Sequence, residues 1–273
     1  ERLEVRSFPD GESLVRAPAW APTTILYGSL DDPDVKLVRL ILAAAALRDL
    51  GARRLVLVTP YLCYMRQDVA FREGEAVSQR VIGGLLAERF DRVVTVDPHL
   101  HRVASLSEAL PGIEATTLTA APLLGAALAG EGAEPPLLAG PDAESRQWVE
   151  QIARPKGLDF VIASKIRRGD RDVQVDLPEA AVAKGRRVVI VDDVISSGAT
   201  MMALAGLLAR AGATRVEAVA THDLSTPQTR EALRAAGISR VQATDSVPRL
   251  DADGPMISLA PLLAEAIQED VQT

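Results

Sequence analysis

Short runs of β-branched and other apolar residues alternate along this chain with longer stretches that are rich in Ala and Leu. The short runs are nearly continuous in Val, Ile and Leu, which is typical of strands that are covered on both faces. The longer stretches have the length and composition of helices. This alternation predicts βαβ units and a mostly parallel sheet.

Two phrases of similar pattern suggest that the chain contains two related α/β halves. LRDLGARRLVLV and LARAGATRVEAV each run from a helix directly into a strand, and Gly51 and Gly212 stand at the junctions. Glycine at this position commonly supplies the left-handed residue that ends a helix. The predicted strands are Thr24–Tyr27, Arg54–Val58, Arg92–Val96, Leu137–Ala139, Phe160–Ala163, Arg187–Val191, Arg215–Ala220 and Val241–Ala243. The predicted helices are Asp34–Leu50, Ala76–Arg89, Ala143–Ala153, Ala199–Ala211 and Pro227–Ala236.

The stretch Ala120–Pro136, which is rich in Ala, Gly and Pro, is the predicted boundary between these halves. We place the cut near residue 130, giving domains 1–130 and 131–273. A length of 273 residues suits two domains of ordinary size.

Composition and charge narrow the class of protein. The net charge of −7 disfavours a nucleic-acid partner. The chain has one cysteine, Cys63, which excludes an internal disulfide and fits a reducing cytosol. No apolar run is long enough to span a bilayer. We therefore expect a cytoplasmic protein that binds neither nucleic acid nor membrane.

The segment VVIVDDVISSGAT, residues 188–200, is the clearest candidate site. Ser196, Ser197, Gly198, Ala199 and Thr200 are small enough for backbone N–H groups to approach a phosphate, and the following helix adds its N-terminal dipole. The preceding Asp192 and Asp193 would repel a phosphate but can accept hydrogen bonds from a sugar diol. The structural alternative is that Asp ends a strand and Ser begins a helix.

This segment resembles the loop shared by type I phosphoribosyltransferases and ribose-phosphate pyrophosphokinases. The resemblance implies that Asp192 and Asp193 bind the ribose hydroxyls and that Ser196 to Thr200 bind the 5-phosphate. The loop by itself does not choose between the two families.

Four N-terminal phrases resemble the ribose-phosphate pyrophosphokinase family, in its order and approximate spacing. They are FPDGES (8–13), PYLCYMRQDVAF (60–71), FREGEAVSQRVIGGLL (71–86) and VDPHLH (96–101). Phosphoribosyltransferases lack this nucleotide-binding half. The resemblance, which is closer to archaeal-type or divergent members, implies two tandem phosphoribosyltransferase-like domains, each with a mostly parallel sheet flanked by helices.

The resemblance also assigns residues on the nucleotide side. It implies that Arg66, Gln67 and Asp68 contact ATP, and that His99 meets the metal–ATP unit. Phe8, Asp10 and Glu12 would bind the adenine of ATP on a neighbouring subunit. A lone His at a strand end is usually structural, and we interpret His101 in that way.

Two further segments carry the metal and the catalytic cations. GPDAES (140–145) resembles the phrase whose Asp binds magnesium, which makes Asp142 a metal candidate beside His99. SKIRRGD (164–170) resembles the family's mobile catalytic loop. Lys165 and Arg167 would stabilise the transferring diphosphate, with Arg168 able to replace Arg167. Outside this context a solvated basic turn is the more common reading of such a segment.

Some positions depart from the family pattern. Cys63 and Met65 replace smaller residues in the ATP phrase, and Ala143, Glu144 and Ser145 replace the glycine pair that follows the magnesium Asp. These departures leave the shape of the nucleotide pocket open.

The resemblance implies an enzyme, a ribose-phosphate diphosphokinase that self-associates as a homodimer or higher oligomer. It would move the β,γ-diphosphate of MgATP to the C1 hydroxyl of ribose 5-phosphate, with Mg²⁺ as cofactor. The active site would lie between the two halves. Two alternatives stay open: a phosphoribosyltransferase that uses the same sugar loop, and a catalytically weak regulatory homologue.

Overall fold

The computed structural model describes residues 1–100, 102–128, 134–167, 173–249 and 254–272. The strands in these residues are β1 (Glu4–Ser7), β2 (Ser13–Arg16), β3 (Thr23–Tyr27), β4 (Arg54–Val58), β5 (Arg92–Val96), β6 (Glu114–Leu118), β7 (Leu137–Gly140), β8 (Phe160–Ile162), β9 (Ser164–Arg167), β10 (Val173–Asp176), β11 (Arg187–Ile195), β12 (Arg215–Asp223) and β13 (Ile238–Ala243). The helices are α1 (Pro33–Asp49), α2 (Ser78–Ala87), α3 (Leu106–Ala109), α4 (Ala121–Leu128), α5 (Arg146–Ala153), α6 (Ala199–Arg210), α7 (Pro227–Ala235), α8 (Ala260–Ala266) and α9 (Gln268–Gln272).

The chain forms two compact units. Unit 1 consists of Glu1–Leu118 and Ala260–Thr273, and unit 2 consists of Thr119–Leu259. This division lies before the boundary predicted near residue 130, and the end of the chain belongs to unit 1. The predicted linker contains α4 instead, whose Leu124 and Leu128 are buried. Proline is compatible with the first turn of a helix, so Pro122 does not prevent α4 from forming.

Unit 1 is built on a parallel sheet with the strand order β3-β4-β5-β6. Apolar residues of β4 and β5, such as Leu55, Leu57 and Val93, are fully buried and pack in one core with side chains of α1 and α2. The antiparallel hairpin of β1 and β2 is tied to α1 by Arg39, which donates to the hydroxyl oxygens of Ser7 and Ser13.

Unit 2 is built on a second parallel sheet with the order β13-β12-β11-β7-β8. Val188, Val189, Ile190 and Val191 of its central strand β11 are inaccessible to solvent. Helices α6 and α7 supply apolar residues to the core of this sheet, and β9 pairs with β10 in a separate antiparallel hairpin.

The α/β class, the parallel sheets with flanking helices and the central strands of both sheets agree with the sequence predictions. Three features differ. β11 and β12 are longer than predicted and extend to Ile195 and Asp223. The sequence pattern missed the hairpin of β1 and β2 and the strand β6, EATTL, because their residues are largely exposed or half-buried and form no continuous apolar run. It also missed the pairing of β9 with β10.

Gly51 and Gly212 follow α1 and α6 with φ angles of 110° and 89°. The two phrases that contain them therefore form the same helix-to-strand connection, as predicted. No helix among the described residues has both the length and the apolar character needed to cross a membrane.

The C-terminal helix α9 is bound to unit 1 by a buried carboxylate. Asp270 accepts from Arg92 Nη1 at 2.5 Å and from Arg54 Nη2 at 3.1 Å. Its side chain is 3% exposed and that of Arg92 is 13% exposed. Arg92 also donates to the carbonyl oxygen of Ala266. These bonds join α8 and α9 to the amino ends of β4 and β5.

We expect Asp270→Asn to destabilise unit 1 by about 2 kcal/mol, because the largely buried Arg92 loses its closest counter-charge while Arg54 keeps its ion pair with Glu114. Hydrogen exchange followed by mass spectrometry would detect this as faster exchange of β4 and β5, with peptides of β11 and β12 unchanged. Glu265→Gln removes an exposed carboxylate of α8 and is the matched control. Equal protection of β4 and β5 in both variants would contradict the prediction.

Candidate active site

Strained backbone marks one edge of unit 1. Among the described residues, the non-glycine residues with positive φ are Asp32, Tyr64 and Asp97, at 46°, 60° and 38°. They lie in the loops that follow β3, β4 and β5, whose carboxyl ends meet at one edge of the parallel sheet. Such conformations are costly and cluster at functional sites. Ligands of open α/β sheets bind at this same edge.

The loop after β4 contains Arg66, Gln67 and Asp68. Arg66 is exposed, whereas the side-chain oxygen of Gln67 accepts from Ser78 Oγ at 2.6 Å. The Gln67 carbonyl oxygen accepts from the N–H of Gln79 at 3.1 Å. Gln67 thus joins the loop to the start of α2, and Arg66 is the exposed cation of the loop.

Asp68 is bound on both of its carboxylate oxygens. Oδ1 accepts from Arg102 Nη1 at 2.6 Å, and Oδ2 accepts from the N–H of Arg102 at 3.1 Å. The Asp68 side chain is only 1% exposed. This pair joins the loop after β4 to the loop after β5.

The loop after β5 carries His99, which is half-buried, directly after the strained Asp97 and the buried Pro98. The N–H of Asp97 donates to the carbonyl oxygen of Leu118 at 2.9 Å, which fixes the start of this loop against β6. His101 lies outside the described residues.

Cys63 and Met65 lie in the core of unit 1, each 1% exposed. Burial raises the pKa of the Cys63 thiol to about 12. These two departures from the family phrase therefore change the core beneath the loop.

Phe8, Asp10 and Glu12 lie in the turn between β1 and β2. Asp10 Oδ1 accepts from the N–H of Glu12 at 3.1 Å, and the N–H of Phe8 donates to the carbonyl oxygen of Glu12 at 2.7 Å. The Phe8 ring is 38% exposed, and the Arg6 guanidinium carbon lies 5.0 Å from its centroid. The turn presents these side chains to solvent.

In unit 2, Asp192 and Asp193 lie inside β11. The prediction that the strand ends at Val191 was wrong, since Val194 pairs with His222 and Ile195 pairs with Asp223. Asp192 is half-buried, and Asp193 is 3% exposed. The backbone N–H of Asp193 donates to Asp192 Oδ1 at 3.1 Å.

The loop Ser196–Gly198 leads from β11 into α6. Gly198 caps α6 with a φ of 69°, and a Cβ at this position would lie 2.9 Å from Leu233 Cδ2 of α7. Ser197 and Ala199 are exposed, and Ser196 and Thr200 are half-buried. The first N–H groups of α6 have no acceptor within the helix, which is the arrangement that binds phosphate at helix N-termini.

Asp142 lies after β7, which pairs with β11 in parallel. Its Oδ1 accepts from the N–H groups of Glu144 and Ser145 at 3.1 and 3.2 Å, so it orders the turn before α5. Burial raises the pKa of Asp192 well above its usual range, and the negative charges of Asp193 and Asp142 add to this. The unit therefore brings Asp142 to the Asp pair.

This local excess of negative charge suits a cation. No group of three or more His, Cys, Asp or Glu residues in the described ranges is arranged to hold a metal ion. Mg²⁺ commonly uses one or two carboxylates together with waters and substrate phosphates, and Asp142 fits that mode.

A buried ionic cluster lies beside the loop Ser196–Gly198, which follows β11. Asp223 accepts from the Ser225 hydroxyl, from Arg230 and, at 3.4 Å, from Arg249. The next residue, Leu224, donates its N–H to the carbonyl oxygen of Ile195 at 2.8 Å. The cluster thus anchors the segment that runs beside the loop after β11.

Lys165 and Arg167 lie on β9, where Lys165 pairs with Val175 and Arg167 pairs with Val173 of β10. Arg168 lies outside the described residues. The described part of the predicted catalytic loop, residues 164–167, is therefore a strand that pairs with β10 in an antiparallel arrangement.

Comparisons with known proteins agree with this architecture. Residues 1–89 match the model of the N-terminal domain of ribose phosphate pyrophosphokinase, and residues 123–244 match the phosphoribosyl transferase domain. A ribose-phosphate pyrophosphokinase of Methanopyrus kandleri is 34% identical over 97% of this chain and 90% of its own.

The chain belongs to the ribose-phosphate pyrophosphokinase family. Ribose-phosphate pyrophosphokinase 2 of Archaeoglobus fulgidus is 34% identical over 96% of this chain and 89% of its own. The crystal structure of phosphoribosylpyrophosphate synthetase from Mycobacterium smegmatis has the same fold, with a TM-score of 0.83 at 24% identity, over 99% of this chain and 90% of that one. The predicted family, enzyme class and fold are thereby confirmed.

The sequence analysis did not find Arg102, Arg230 or Arg249. Arg102 follows VDPHLH directly, and its place after a strand end was the available signal. Arg230 lies seven residues after Asp223, on α7, and Arg249 lies 26 residues after it, and both meet Asp223 only in the folded unit.

We expect Gly198→Ala to lower the free energy of unfolding of unit 2 by about 2 kcal/mol, because a left-handed residue acquires a Cβ against Leu233. Denaturant unfolding followed by the fluorescence of Trp148 would measure this, in a Trp20→Phe background. Gly206→Ala on the same helix is the control. A Cβ there meets only the end of Arg210, at 3.4 Å, so it should be neutral or stabilising. Equal effects of the two substitutions would contradict the assigned strain.

Proposed function

We propose that this protein transfers the β,γ-diphosphate of MgATP to the C1 hydroxyl of ribose 5-phosphate, giving AMP and 5-phosphoribosyl 1-diphosphate. The observation that carries the proposal is that one chain combines the family's N-terminal domain with a phosphoribosyltransferase-type sugar loop. A transferase that only consumes the diphosphate sugar needs no N-terminal half of this kind.

On the sugar side, the 5-phosphate binds the loop from Ser196 to Thr200 and the N-terminus of α6. The small side chains and the unpaired helical N–H groups support this assignment. Asp192 and Asp193 accept hydrogen bonds from the ribose hydroxyl groups. The two ends of ribose 5-phosphate thus bind residues of one strand–loop–helix segment.

On the nucleotide side, Arg66 contacts the triphosphate, with Gln67 ordering its loop. A planar guanidinium suits two phosphate oxygens at once. His99 meets the metal–nucleotide unit from the next loop. Phe8, Asp10 and Glu12 contact the adenine held by a neighbouring subunit, which requires the protein to self-associate as a homodimer or higher oligomer.

Asp142 and His99 are the residues of this chain that would contribute to magnesium binding, together with the substrates' own oxygens. When bound, the ion offsets the negative charge of the phosphates. Asp142 retains Oδ1 for the turn before α5, so binding a cation need not disturb that turn.

The transfer would proceed in line at the β-phosphorus. The C1 hydroxyl oxygen forms a bond to that phosphorus and loses its proton, while the bond from the phosphorus to the α,β-bridging oxygen breaks and this oxygen leaves with AMP. The chain's contribution is to align the two substrates and to surround the diphosphate with cations. Lys165 and Arg167 supply that charge.

A direct assay separates this function from its alternatives. The protein is incubated with Mg²⁺, ATP and ribose 5-phosphate, and AMP is followed by chromatography. With ribose 5-phosphate carrying ¹⁸O at C1, the label should be retained in the diphosphate sugar. A phosphoribosyltransferase would instead release pyrophosphate from 5-phosphoribosyl 1-diphosphate and a base. Binding of both substrates without AMP would identify a regulatory homologue.

We expect Lys165→Ala to reduce kcat by at least about a hundredfold, because a cation that acts on the transferring group is lost. The dissociation constant for ribose 5-phosphate, measured by calorimetry, should stay within about twofold. Lys184→Ala, an exposed lysine of the same unit, is the control. A comparable loss of sugar binding in the Lys165 variant would count against the assigned role.

A further inference from the structure

We propose that Arg102 is a further nucleotide-binding residue that contacts the polyphosphate of MgATP, and that Asp68 is the residue that positions it. This inference rests on the proposed function. It replaces the direct contact between Asp68 and ATP that the sequence phrase implied.

The geometry of Asp68 argues against a direct contact with ATP. Its side chain is 1% exposed, and each carboxylate oxygen already accepts a hydrogen bond from Arg102. A carboxylate directed at a triphosphate would also add repulsion. A buried carboxylate that binds both the main chain and the side chain of one arginine instead fixes the direction of that arginine.

Arg102 keeps donors for a ligand. A guanidinium has five N–H groups, and Asp68 accepts from only one nitrogen, Nη1. The rest of the Arg102 side chain has no hydrogen-bond acceptor among the described residues, and the side chain is 57% exposed. The guanidinium group is therefore fixed through Nη1, while the side chain remains accessible to a ligand.

The neighbouring ring limits the positions that this guanidinium can take. The Arg102 guanidinium carbon lies 5.8 Å from the centroid of Phe71, whose side chain is 61% exposed. Glu75 Oε2 accepts from the N–H groups of Phe71 and Arg72 at 2.9 and 3.2 Å, which orders the backbone beneath the ring. A cation held over an aromatic face loses little further freedom when a phosphate binds.

The fold places Arg102 with the other nucleotide residues. Arg66 follows β4 and His99 follows β5, and these strands are parallel neighbours. Asp68 belongs to the first loop and Arg102 to the second, so their ion pair holds the two loops together at the edge where Tyr64 and Asp97 are strained. Arg66 and Arg102 thus present two cations from adjacent strand ends.

The test compares Arg102→Gln, Asp68→Asn and the double variant with the wild-type protein. Calorimetry measures MgATP binding, and the AMP assay gives KM for each substrate. Loss of a charge-assisted hydrogen bond predicts a Kd and a KM for MgATP that rise about tenfold or more in Arg102→Gln, with KM for ribose 5-phosphate unchanged. Arg102→Lys should recover part of the loss. Arg89→Gln, an exposed arginine of unit 1 near the opposite edge of the sheet, should have no effect.

The double variant tests the positioning role. If Asp68 acts through Arg102, Asp68→Asn raises the Kd for MgATP several-fold in the wild-type background and has no effect in the Arg102→Gln background. A purely structural Asp68 would give the same change in both backgrounds. The double variant also removes the unpaired buried carboxylate, so it keeps the test valid if Arg102→Gln alone folds poorly.

The outcomes separate the two proposals. Wild-type activity together with an unchanged Kd for MgATP in Arg102→Gln would overturn the role of Arg102 and leave the proposed function intact. MgATP binding that depends on Arg102, without AMP formation by the wild type, would overturn the proposed reaction alone. A wild-type protein that does not bind MgATP would overturn both.

Discussion

The segment that leads from β11 through Ser196–Gly198 into α6 depends on one buried carboxylate of unit 2. Asp223 is 1% exposed, and it gathers Ser225 and Arg230 at the carboxyl end of β12. The register places Asp223 beside Ile195, the last residue of β11 before the loop Ser196–Gly198. Arg230 is 4% exposed and belongs to α7, the helix that also packs against Gly198. Because a buried charge pair is costly to break, the loop between these elements has few alternative positions.

In unit 1, strained residues and hydrogen bonds fix the loops that follow the strands. Its loops follow β3, β4 and β5 through left-handed residues, and hydrogen bonds to α1 and between loops offset the cost of these conformations. Tyr64 donates its hydroxyl proton to Asp34, and Asp68 accepts from Arg102. This organisation fixes Arg102 at the carboxyl edge of the sheet.

The sequence was sufficient for the buried strands and for the small-residue turn that leads into α6, since both leave a local pattern. Val188–Val191 is a continuous apolar run, and the small residues after Asp193 indicate a tight turn before a helix. The sequence was insufficient to predict contacts between residues that are far apart along the chain. Asp270 and Arg92 are 178 residues apart and meet only in the folded unit, so their pairing leaves no local pattern. Asp68 belonged to a phrase that implied an ATP contact, whereas its burial and its two bonds to Arg102 could not be predicted from the sequence.

The return of α8 and α9 to unit 1 has a consequence for synthesis on the ribosome. Unit 2 is one continuous segment, Thr119–Leu259, and all of its strands and helices can assemble as soon as that segment has emerged. Unit 1 emerges first but lacks Asp270, so Arg54 and Arg92 remain without this partner while the whole of unit 2 is translated. The first unit to be synthesised is therefore the last to be completed.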